Sequence, residues 1–363
     1  MVEWKKLGEV CAFSRGRTIT AKDAVDGDIP VIAGGQTPSY YHNESNREGE
    51  SITVAGSGAY AGFVSYWNKP IFVSDAFTVD PSQSIKHKYL FQWLKMNQNR
   101  IFETQKGAGV PHVHGKDIAN FLIPIPSLEE QTRIVGILDT FTSAIDNLKE
   151  QIAQRRKQYE YYRDQLLDLE GKPGVEMKFI TEVAKSFTGL TYKPENVSDS
   201  GTLVLRSSNI NDDVLSFDDN IFVQMVIPER AKVQENDILI CVRNGSKRLV
   251  GKSAMITKEA EGMAFGAFMT ILRSFAINSK FLFYVWQSEK VRRQYKGDEA
   301  MPIAQITAKD FQRIVIPVPS LSEQKRIVSI LDTFEASIQN LEAQLKQREK
   351  QYEYYRNKLL TFE

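Results

Sequence analysis

The sequence IPIPSLEEQTRIVGILDTF begins at Ile123, and nearly the same sequence, IPVPSLSEQKRIVSILDTF, begins at Ile316. The two copies end in QYEYYRDQLLDLE at Glu170 and in QYEYYRNKLLTFE at Glu363. Aligned without gaps, about 31 of 48 positions are identical, which is far above chance for two internal segments. Because a long segment of different sequence precedes each copy, the repeat predicts two similar halves with different heads on one paired stem.

Each copy carries the signals of one long α-helix. Pro124 and Pro126 hold the preceding chain extended, and Ser127 with Glu130 forms a Ser-x-x-Glu capping box that recurs in the second copy. Apolar and aromatic residues then repeat at alternating spacings of four and three for about five heptads, which is the seam of a coiled coil. Each helix should contain about 43 residues and measure ~65 Å. The central seam positions are Ile145, Leu148, Ile152, Arg155, Tyr159, Tyr162, Ile338, Leu341, Leu345, Arg348, Tyr352 and Tyr355.

Two such helices in one chain most simply pair with each other, and the long heads allow either orientation. We expect an α+β fold in which two globular heads of mixed α/β content are separated by two long helices. Antiparallel pairing of the helices as a coiled coil would relate the halves by a pseudo-twofold axis. The predicted segments are head one at 1–122, helix one at 123–170, head two at 171–315 and helix two at 316–363.

Arg155 and Arg348 occupy matched positions of the predicted seam. In one interpretation their aliphatic stems pack while their charged ends reach solvent. In the other they are a polar device that fixes the register and orientation of the helix pair. The sequence leaves both interpretations open.

The heads combine short strands with one helical region each. Runs typical of strands alternate with Gly, Asn and Ser turns at residues 28–33, 51–54, 201–205 and 237–242. Aromatic-rich helical runs lie at 88–102 and 279–295. The heads also share short matches, which predicts one fold with diverged surfaces: Glu9-Val10 with Glu182-Val183, Gly16 with Gly189, Ala76-Phe77 with Ala267-Phe268, and Lys116-Asp117 with Lys309-Asp310.

Bulk composition excludes several classes of protein. A length of 363 residues predicts two or three domains. The net charge is +1, so any binding of nucleic acid must use local patches rather than global charge. Cys11 and Cys241 have neither CxxC nor zinc spacing, which indicates buried thiols in a reducing compartment. The start, MVEWKKLGEV, lacks an apolar signal core and no apolar run approaches the ~20 residues of a membrane span. We therefore expect a cytoplasmic protein.

The sequence contains no complete copy of three catalytic motifs. The residue five before Gly251 is Ser246, so Gly251-Lys252-Ser253 does not end a Walker A loop, and we predict a glycine-rich turn between two strands. Gly56-Ser-Gly58-Ala-Tyr-Ala-Gly62 is not the dinucleotide fingerprint. The chain also has no Pro-Pro pair, which the catalytic loop of an adenine methyltransferase usually contains.

Two of the four histidines, His112 and His114, alternate as on a strand. Two ligands do not make a metal site. We therefore predict no metal site here, and we favour a contact with a loop or with DNA over metal binding.

The heads instead offer side chains that bind DNA. Arg reads guanine and Asn or Gln reads adenine, whereas Gly and Ser let backbone amides approach phosphates. A solvated loop position is the alternative for each residue, and Arg243–Arg248 is the best local patch. The candidates in head one are Arg15, Arg17, Thr18, Gln36, Ser57, Tyr60, Lys106, His112 and His114. Those in head two are Arg206, Ser207, Asn209, Arg243, Asn244, Ser246, Lys247, Arg248, Lys252 and Gln305.

The whole chain resembles the specificity (S) subunit of type I restriction–modification systems. The order in that family is target-recognition domain, conserved helix, second target-recognition domain and second conserved helix. Its helix start reads Pro-x-Pro, Leu, Glu-Gln, an Ile-rich run and Leu-Asp. The matching residues in the first copy are Pro124, Pro126, Leu128, Glu130-Gln131, Ile134, Ile137 and Leu138-Asp139. Those in the second copy are Pro317, Pro319, Leu321, Glu323-Gln324, Ile327, Ile330 and Leu331-Asp332.

The resemblance implies a DNA-recognition subunit that has no catalytic site. Each head would read one half of a bipartite, asymmetric target in double-stranded DNA, and the helices would fix the gap, with half-site centres about one helical turn (~10 bp) apart. The implied partners are two methyltransferase (M) subunits, which would transfer a methyl group from S-adenosylmethionine to adenine N6. Restriction/motor (R) subunits would join them and cleave DNA with ATP and Mg²⁺. No cofactor is expected in this chain itself, and no membrane is expected among its partners.

Two rival functions fit parts of the sequence. A coiled-coil adaptor that does not bind DNA would use both heads to bind proteins, and sequence-specific DNA modification in the presence of a methyltransferase would exclude it. A nucleotide hydrolase would use residues 245–253, and would require nucleotide binding that a Lys252→Ala variant loses. A modification system without a nuclease is also consistent with the resemblance.

Overall fold

The computed structural model describes residues 2–107, 109–296 and 305–362. The chain divides into two compact units. The first unit contains Met1–Gln151 and Leu341–Glu363, and the second contains Ile152–Asn340. Each unit therefore holds one head, the beginning of one long helix and the end of the other. Both units mix helices with small sheets, so the predicted α+β class is confirmed.

The sheets of the first unit are mostly antiparallel. Its four-stranded sheet has the order Cys11–Arg15, Ala76–Pro81, Glu50–Ala55 and Val64–Asn68. A three-stranded sheet has the order Tyr40–His42, Ile29–Ile32 and Phe72–Val73. A two-stranded ribbon pairs Glu3–Lys6 with Leu122–Ile125. The short helices are Leu7–Val10, His87–Met96, Gln98–Phe102 and Gly115–Ile118.

The second unit repeats this plan with more short elements. Its antiparallel sheet has the order Ala184–Thr188, Met269–Ser274, Ile238–Cys241 and Ser253–Met255. A second sheet has the order Val197–Ser198, Phe222–Val223, Thr202–Leu205 and Ala264–Phe265. Two ribbons pair Glu176–Phe179 with Val315–Val318 and Ile210–Asn211 with Val214–Leu215. The α-helices of the head are Ser279–Gln287, Glu289–Lys296 and Ala308–Phe311. The 3₁₀ turns are Ile180–Glu182, Pro194–Asn196, Ser207–Asn209, Glu229–Ala231, Lys247–Leu249 and Lys258–Ala260.

Backbone hydrogen bonds define which residues are equivalent in the two units. The amide of Gly16 donates to the carbonyl of Ala76 at 2.9 Å, and the amide of Gly189 donates to that of Met269 at 3.4 Å. The predicted match of the two glycines is therefore confirmed. The predicted match of Ala76 with Ala267 is wrong by two residues, because the strand register places Met269 at that position.

Two further sequence matches between the heads prove to be helix caps. Asp117 accepts from the amide of His114 at 2.9 Å, and Asp310 accepts from that of Thr307 at 2.7 Å. Glu9 and Glu182 cap their turns in the same way, by accepting from amides three residues earlier. The shared residues therefore maintain the shared backbone rather than a shared surface.

The two repeated segments each form one long helix. The first long helix is Leu128–Leu167 and the second long helix is Leu321–Leu360, with 40 residues in each. Ser127 accepts from the amide of Glu130 at 3.2 Å, so this half of the predicted capping box is confirmed. The Glu130 carboxylate bonds to Arg133 instead of the Ser127 amide, because a guanidinium one turn away offers two charged donors. No helix among the described residues is long and apolar enough to cross a membrane.

Contacts within the first unit show that the long helices are antiparallel. The Phe141 ring lies 5.2 Å from the Tyr355 ring, at an interplanar angle of 25°. Further along the first long helix, Lys149 lies 3.7 Å from Glu349. The residue number rises in one helix while it falls in the other, so the predicted antiparallel pairing is confirmed.

The second unit contains the equivalent contact with the roles of the helices exchanged. The Tyr162 ring lies 5.5 Å from the Phe334 ring, at an angle of 26°. Tyr162 corresponds to Tyr355 in the repeat, and Phe334 corresponds to Phe141. Both units therefore pack the start of one copy against the end of the other through the same aromatic pair.

The predicted seam residues differ in burial. Ile145 and Ile338 are buried, whereas Tyr162 and Tyr355 remain more than a third exposed. Arg348 is exposed, donates to Gln351 at 3.0 Å and lies 5.9 Å from the centre of the Phe141 ring. The partly buried positions are Leu148, Ile152, Arg155, Tyr159, Leu341, Leu345 and Tyr352.

A buried glutamine joins each long helix to its head. Gln131 accepts from the amide of Lys86 at 2.9 Å and donates to the carbonyls of Ser84 and Pro126. Gln324 accepts from the amide of Asn278 at 2.9 Å. Lys86 and Asn278 are the N-cap residues of the main helix of each head. The Glu-Gln of the repeat therefore sets where the head packs on the long helix.

Both cysteines are buried and free, as predicted. Burial, together with the nearby negative charge of Asp80, raises the pKa of the Cys11 thiol to about 12. Burial also raises the pKa of Cys241. Both thiols therefore remain protonated at neutral pH, and they serve as small apolar core residues.

Candidate nucleic-acid interface

Close packing of backbones at the ends of the central strands builds the same frame in both units. A Cβ on Gly16 would lie 2.3 Å from the carbonyl oxygen of Ser74, and one on Gly189 would lie 2.1 Å from that of Gly266. No side chain fits at either position, because Cβ atoms do not approach other atoms below 3 Å. Glycine therefore lets the chain that leaves the first strand of each sheet pass very close to the turn that precedes the second strand of that sheet.

In the first unit this frame borders an open groove of about 450 Å³. The groove brings together four of the predicted residues, Arg15, Ser57, His112 and His114. It also includes two charged residues that the sequence analysis missed, Asp75 and Lys116. The groove thus combines cations with a carboxylate and a hydroxyl, which is a surface that can contact both phosphates and bases.

The floor of the groove is held by backbone pairing. Ser57 forms a β-bridge with His112, and the Ser57 hydroxyl donates to the carboxylate of Asp75. The amide of Gly56 donates to the carbonyl of Asp75 at 3.1 Å. These bonds fix the positions of the three side chains relative to one another without filling the groove.

The two histidines form one wall. The rings of His112 and His114 are stacked, with centroids 6.2 Å apart and an interplanar angle of 14°. No group of three or more His, Cys, Asp or Glu residues suited to a metal ion occurs in the described ranges. Both histidines line the groove, and an imidazole N–H can donate a hydrogen bond to DNA.

Lys106 lies beside this wall in an ion pair. Its Nζ is 2.5 Å from a carboxylate oxygen of Asp117. Partial burial alone raises the pKa of Asp117, but the hydrogen bonds from Lys106 and from the His114 amide outweigh that effect and hold the pKa below its usual range. The Asp117 carboxylate is therefore charged at neutral pH, and it neutralises Lys106 in the free protein.

The remaining candidates of the first unit lie on exposed loops. Arg17 packs over the Phe72 ring at 5.1 Å and lies 3.5 Å from Glu44. Gln36 lies two residues after Gly34, whose missing Cβ lets the loop approach the Ser57 carbonyl. The exposed candidates of this group are Arg17, Thr18, Gln36 and Tyr60. The structure does not place Arg17, Thr18, Gln36 or Tyr60 in the lining of the groove.

The same frame in the second unit carries different side chains. Arg243 forms a β-bridge with Gln305, as Ser57 does with His112. The Arg243 guanidinium lies over the Phe268 ring, 5.2 Å from its centre. Two candidates far apart in the sequence, Arg243 and Gln305, are thus neighbours.

A second cluster in this unit links three candidates through hydrogen bonds. The amide nitrogen of the Asn244 side chain donates to the Ser207 hydroxyl at 3.1 Å. Lys252 donates to the carbonyl of Ser207 at 3.5 Å. The cluster is only partly buried. Its hydrogen bonds therefore join the turn that follows the strand Ile238–Cys241 to the 3₁₀ turn Ser207–Asn209.

Two candidates of the second unit are held by the protein itself. Asn209 is fully buried and donates to the carbonyls of Ser216 and Asp219. Arg206 lies 2.8 Å from the carboxylate of Asp219. These contacts give Asn209 and Arg206 a role in shaping the loop around residues 206–220.

The turn at 245–253 connects two antiparallel strands, as predicted. Gly251 has a φ of +89°, and a Cβ there would meet the Tyr295 hydroxyl at 2.4 Å. A Walker A loop runs into a helix, whereas Ser253 begins a strand. Ser246, Lys247 and Arg248 are exposed on this turn.

Sequence reasoning missed Asp75 and Phe268, which occupy equivalent positions. Each residue directly precedes the second strand of its four-stranded sheet, and each carbonyl accepts from the equivalent backbone amide, of Gly56 at 3.1 Å and of Val242 at 3.0 Å. The signal that could have found them is the alignment of the two heads, had it been placed by strand register rather than by the Ala-Phe dipeptide.

Two alike units, each with an exposed polar site at strand ends and each joined to paired long helices, define a two-headed recognition protein. The family model described as Type I restriction modification DNA specificity domain matches residues 1–155 and 173–349. The chain belongs to this family. As a specificity subunit it recognises DNA and is of a class that does not catalyse the reactions of its complex. The comparisons do not favour the adaptor alternative.

Relatives and solved structures match over nearly the full length. The chain is 30% identical to the type I restriction enzyme EcoR124I/EcoR124II specificity subunit of Escherichia coli, over 99% of this chain and 94% of that protein. It is 25% identical to a putative type I restriction enzyme specificity subunit of Haemophilus influenzae, over 99% and 96%. The crystal structure of a type I restriction–modification S subunit from M. genitalium has the same fold, with a TM-score of 0.62 at 18% identity, over 100% of this chain and 97% of that chain.

Proposed function

We propose that this chain reads a bipartite, asymmetric target in double-stranded DNA, with one half-site for each unit. The observation that carries the proposal is the pair of equivalent sites on one backbone frame. Ser57, Asp75 and His112 occupy the site in the first unit, and other residues replace all three in the second. Because the side chains differ in charge and hydrogen-bonding type, the two half-sites should differ in sequence.

Phosphate contacts position each unit on DNA. Arg15 and Lys116 border the groove of the first unit, and Lys247 and Arg248 are exposed on a turn of the second. Cations of this kind fix register without reading sequence. With a net charge of only +1, the chain alone should bind weakly, so partner subunits supply the rest of the grip.

Two methyltransferase (M) subunits are the proposed partners, one for each unit. Identical partners need identical docking surfaces, and the repeat supplies them where QYEYYR recurs. Tyr161 in the second unit is 59% exposed, and its counterpart Tyr354 in the first unit is 60% exposed. Exposed aromatic side chains on a helix are typical of protein–protein contacts.

The chemistry of the complex resides in those partners. The M subunits would bind S-adenosylmethionine and methylate adenine N6, and restriction/motor (R) subunits would use ATP and Mg²⁺ to cleave unmodified DNA. This chain contributes the target sequence to both activities. The Escherichia coli and Haemophilus influenzae specificity subunits that this chain resembles come from bacteria, whose DNA lies in the cytoplasm, so the proposed site of action is the cytoplasm.

Co-expression with an M subunit tests the proposal. N6-methyladenine is mapped on host DNA by single-molecule sequencing, with and without this chain. The expected result is an asymmetric, two-part motif that disappears when the chain is omitted. Absence of any motif, despite an active M subunit bound to a folded chain, would refute the proposal and favour the adaptor function instead.

The nuclease is tested separately. Addition of the R subunit and ATP should cleave DNA that carries the unmethylated motif. If methylation occurs and no R subunit binds, the system is one of modification alone.

A further inference from the structure

The two strand-end sites can be aligned residue by residue, although the side chains differ at every aligned position. Ser57 is equivalent to Arg243 and His112 to Gln305, because each pair forms the same β-bridge. Asp75 is equivalent to Phe268, because each precedes the same strand and accepts from the same amide. A fixed backbone thus presents one set of three side chains in the first unit and a different set in the second.

In the first unit, the Asp75 carboxylate is a hydrogen-bond acceptor for DNA. Asp75 accepts from the Ser57 hydroxyl, and none of the ion pairs found among the described residues includes its carboxylate. A carboxylate with one oxygen engaged retains lone pairs for another donor. In the major groove, the donors that such an acceptor reads are exocyclic amino groups, cytosine N4 above all and also adenine N6.

In the second unit, the Arg243 guanidinium is a hydrogen-bond donor for DNA. Phe268 is 57% exposed, and the Arg243 guanidinium lies 5.2 Å above its ring. Within the described ranges the guanidinium makes no hydrogen bond or ion pair. A guanidinium that rests over an aromatic ring without a protein acceptor keeps its N–H groups available, and two such N–H groups match O6 and N7 of guanine.

We infer that Asp75 and Arg243 read bases, Asp75 by accepting from an exocyclic amino group in one half-site and Arg243 by donating to guanine in the other. Ser57 and Phe268 are positioning residues, since each holds the reading side chain through a direct contact. This inference rests on the proposed function and assigns the specificity of its two sites.

The test uses the complex of the full chain with its M subunit. The complex methylates a library of DNA with randomised sequence, and single-molecule sequencing reports the base preference at every position. Asp75→Ala should lower discrimination roughly 5- to 150-fold at one or two adjacent base pairs of one half-site. The preferred base there, cytosine or adenine in the strand that is read, distinguishes the two amino groups. Arg243→Lys keeps the charge without the fork, and should relax one G·C position by a similar factor in the other half-site only.

Matched controls separate reading from folding. Asp26→Ala and Arg230→Lys make the same changes at exposed positions whose side chains have no hydrogen bond or ion pair among the described residues, and they should leave the motif unchanged. The melting temperature of each variant should lie within about 2 °C of the wild type.

Three outcomes would overturn the inference while leaving the proposed function intact. These are an unchanged motif in both variants, a change in both half-sites from one substitution, and loss of methylation on the whole library by a folded variant. If the wild-type complex itself yields no motif, the proposed function fails instead.

Discussion

Removal of the Gln131 amide should destabilise the first unit by a predictable amount. Methionine has nearly the same length and volume as glutamine but no strong donor or acceptor, so Gln131→Met removes hydrogen bonds with little change in packing. Gln131 is fully buried and forms three such bonds, with Lys86, Ser84 and Pro126. Gln324→Met is the matched change in the second unit, where Gln324 bonds to Asn278 and to Pro319.

The magnitude follows from the number of bonds. A buried hydrogen bond contributes about 1 kcal/mol net to stability, so Gln131→Met should cost about 3 kcal/mol and Gln324→Met about 2 kcal/mol. For units of this size, 1 kcal/mol corresponds to roughly 2–4 °C in melting temperature. The first unit should therefore melt roughly 6–12 °C lower in the Gln131→Met variant.

Differential scanning calorimetry of the full chain measures both changes. Gln158→Met and Gln347→Met are the controls, because they make the same substitution at exposed positions of the long helices, and each should change stability by less than about 0.5 kcal/mol. A loss below 1 kcal/mol in Gln131→Met would refute the reasoning, since three buried bonds would then contribute less than one. Equal small losses at buried and exposed positions would show that helix propensity, rather than hydrogen bonding, decides the effect.

Three other predictions concern pH, docking and spacing. Burial raises the pKa of the Glu335 carboxyl above its value in the unfolded chain, so the second unit loses stability as pH rises through that raised pKa. Glu335→Gln should therefore raise the melting temperature at pH 7 but not at pH 3. An equal gain at both pH values would show that burial of the charged carboxylate is not the cause. Tyr161→Ala combined with Tyr354→Ala should weaken binding of the M subunit about 30-fold in calorimetric titration, whereas Tyr41→Ala, at an exposed residue of a head, should not. Insertion of one heptad into both long helices adds about 10 Å to each and should lengthen the gap of the methylated motif by about three base pairs; a changed half-site with an unchanged gap would exclude the helices as the spacer.

The sequence predicted the long helices well because their signals are local and repeated. Ser127 opens the first long helix at Leu128, and the heptads continue to its end at Leu167. Propensity and periodicity agree over 40 residues, so tertiary contacts have little to override. The aromatic runs of the heads were also predicted, although each is divided into two short helices, 88–102 at Asn97 and 279–295 at Ser288.

The candidate sites were harder to predict because they depend on register between short strands. Asp75 lies one residue before a strand of six residues, and its equivalence to Phe268 is visible only through backbone hydrogen bonds. Polar residue type also misleads in loops. Asn209 has the right chemistry to read adenine, yet the structure buries its amide against the carbonyls of its own loop.

The backbone frame that Gly16 and Gly189 allow has a consequence for how targets evolve. Side chains at the strand ends can be replaced while the hydrogen bonds beneath them remain, so a change of target need not compromise folding. On the proposed function, one chain instructs both the enzyme that marks DNA and the enzyme that cuts it. A substitution at Asp75 or Arg243 would therefore redirect both enzymes in one step, and the cell would keep its immunity to its own nuclease while its defence against foreign DNA acquired a new target.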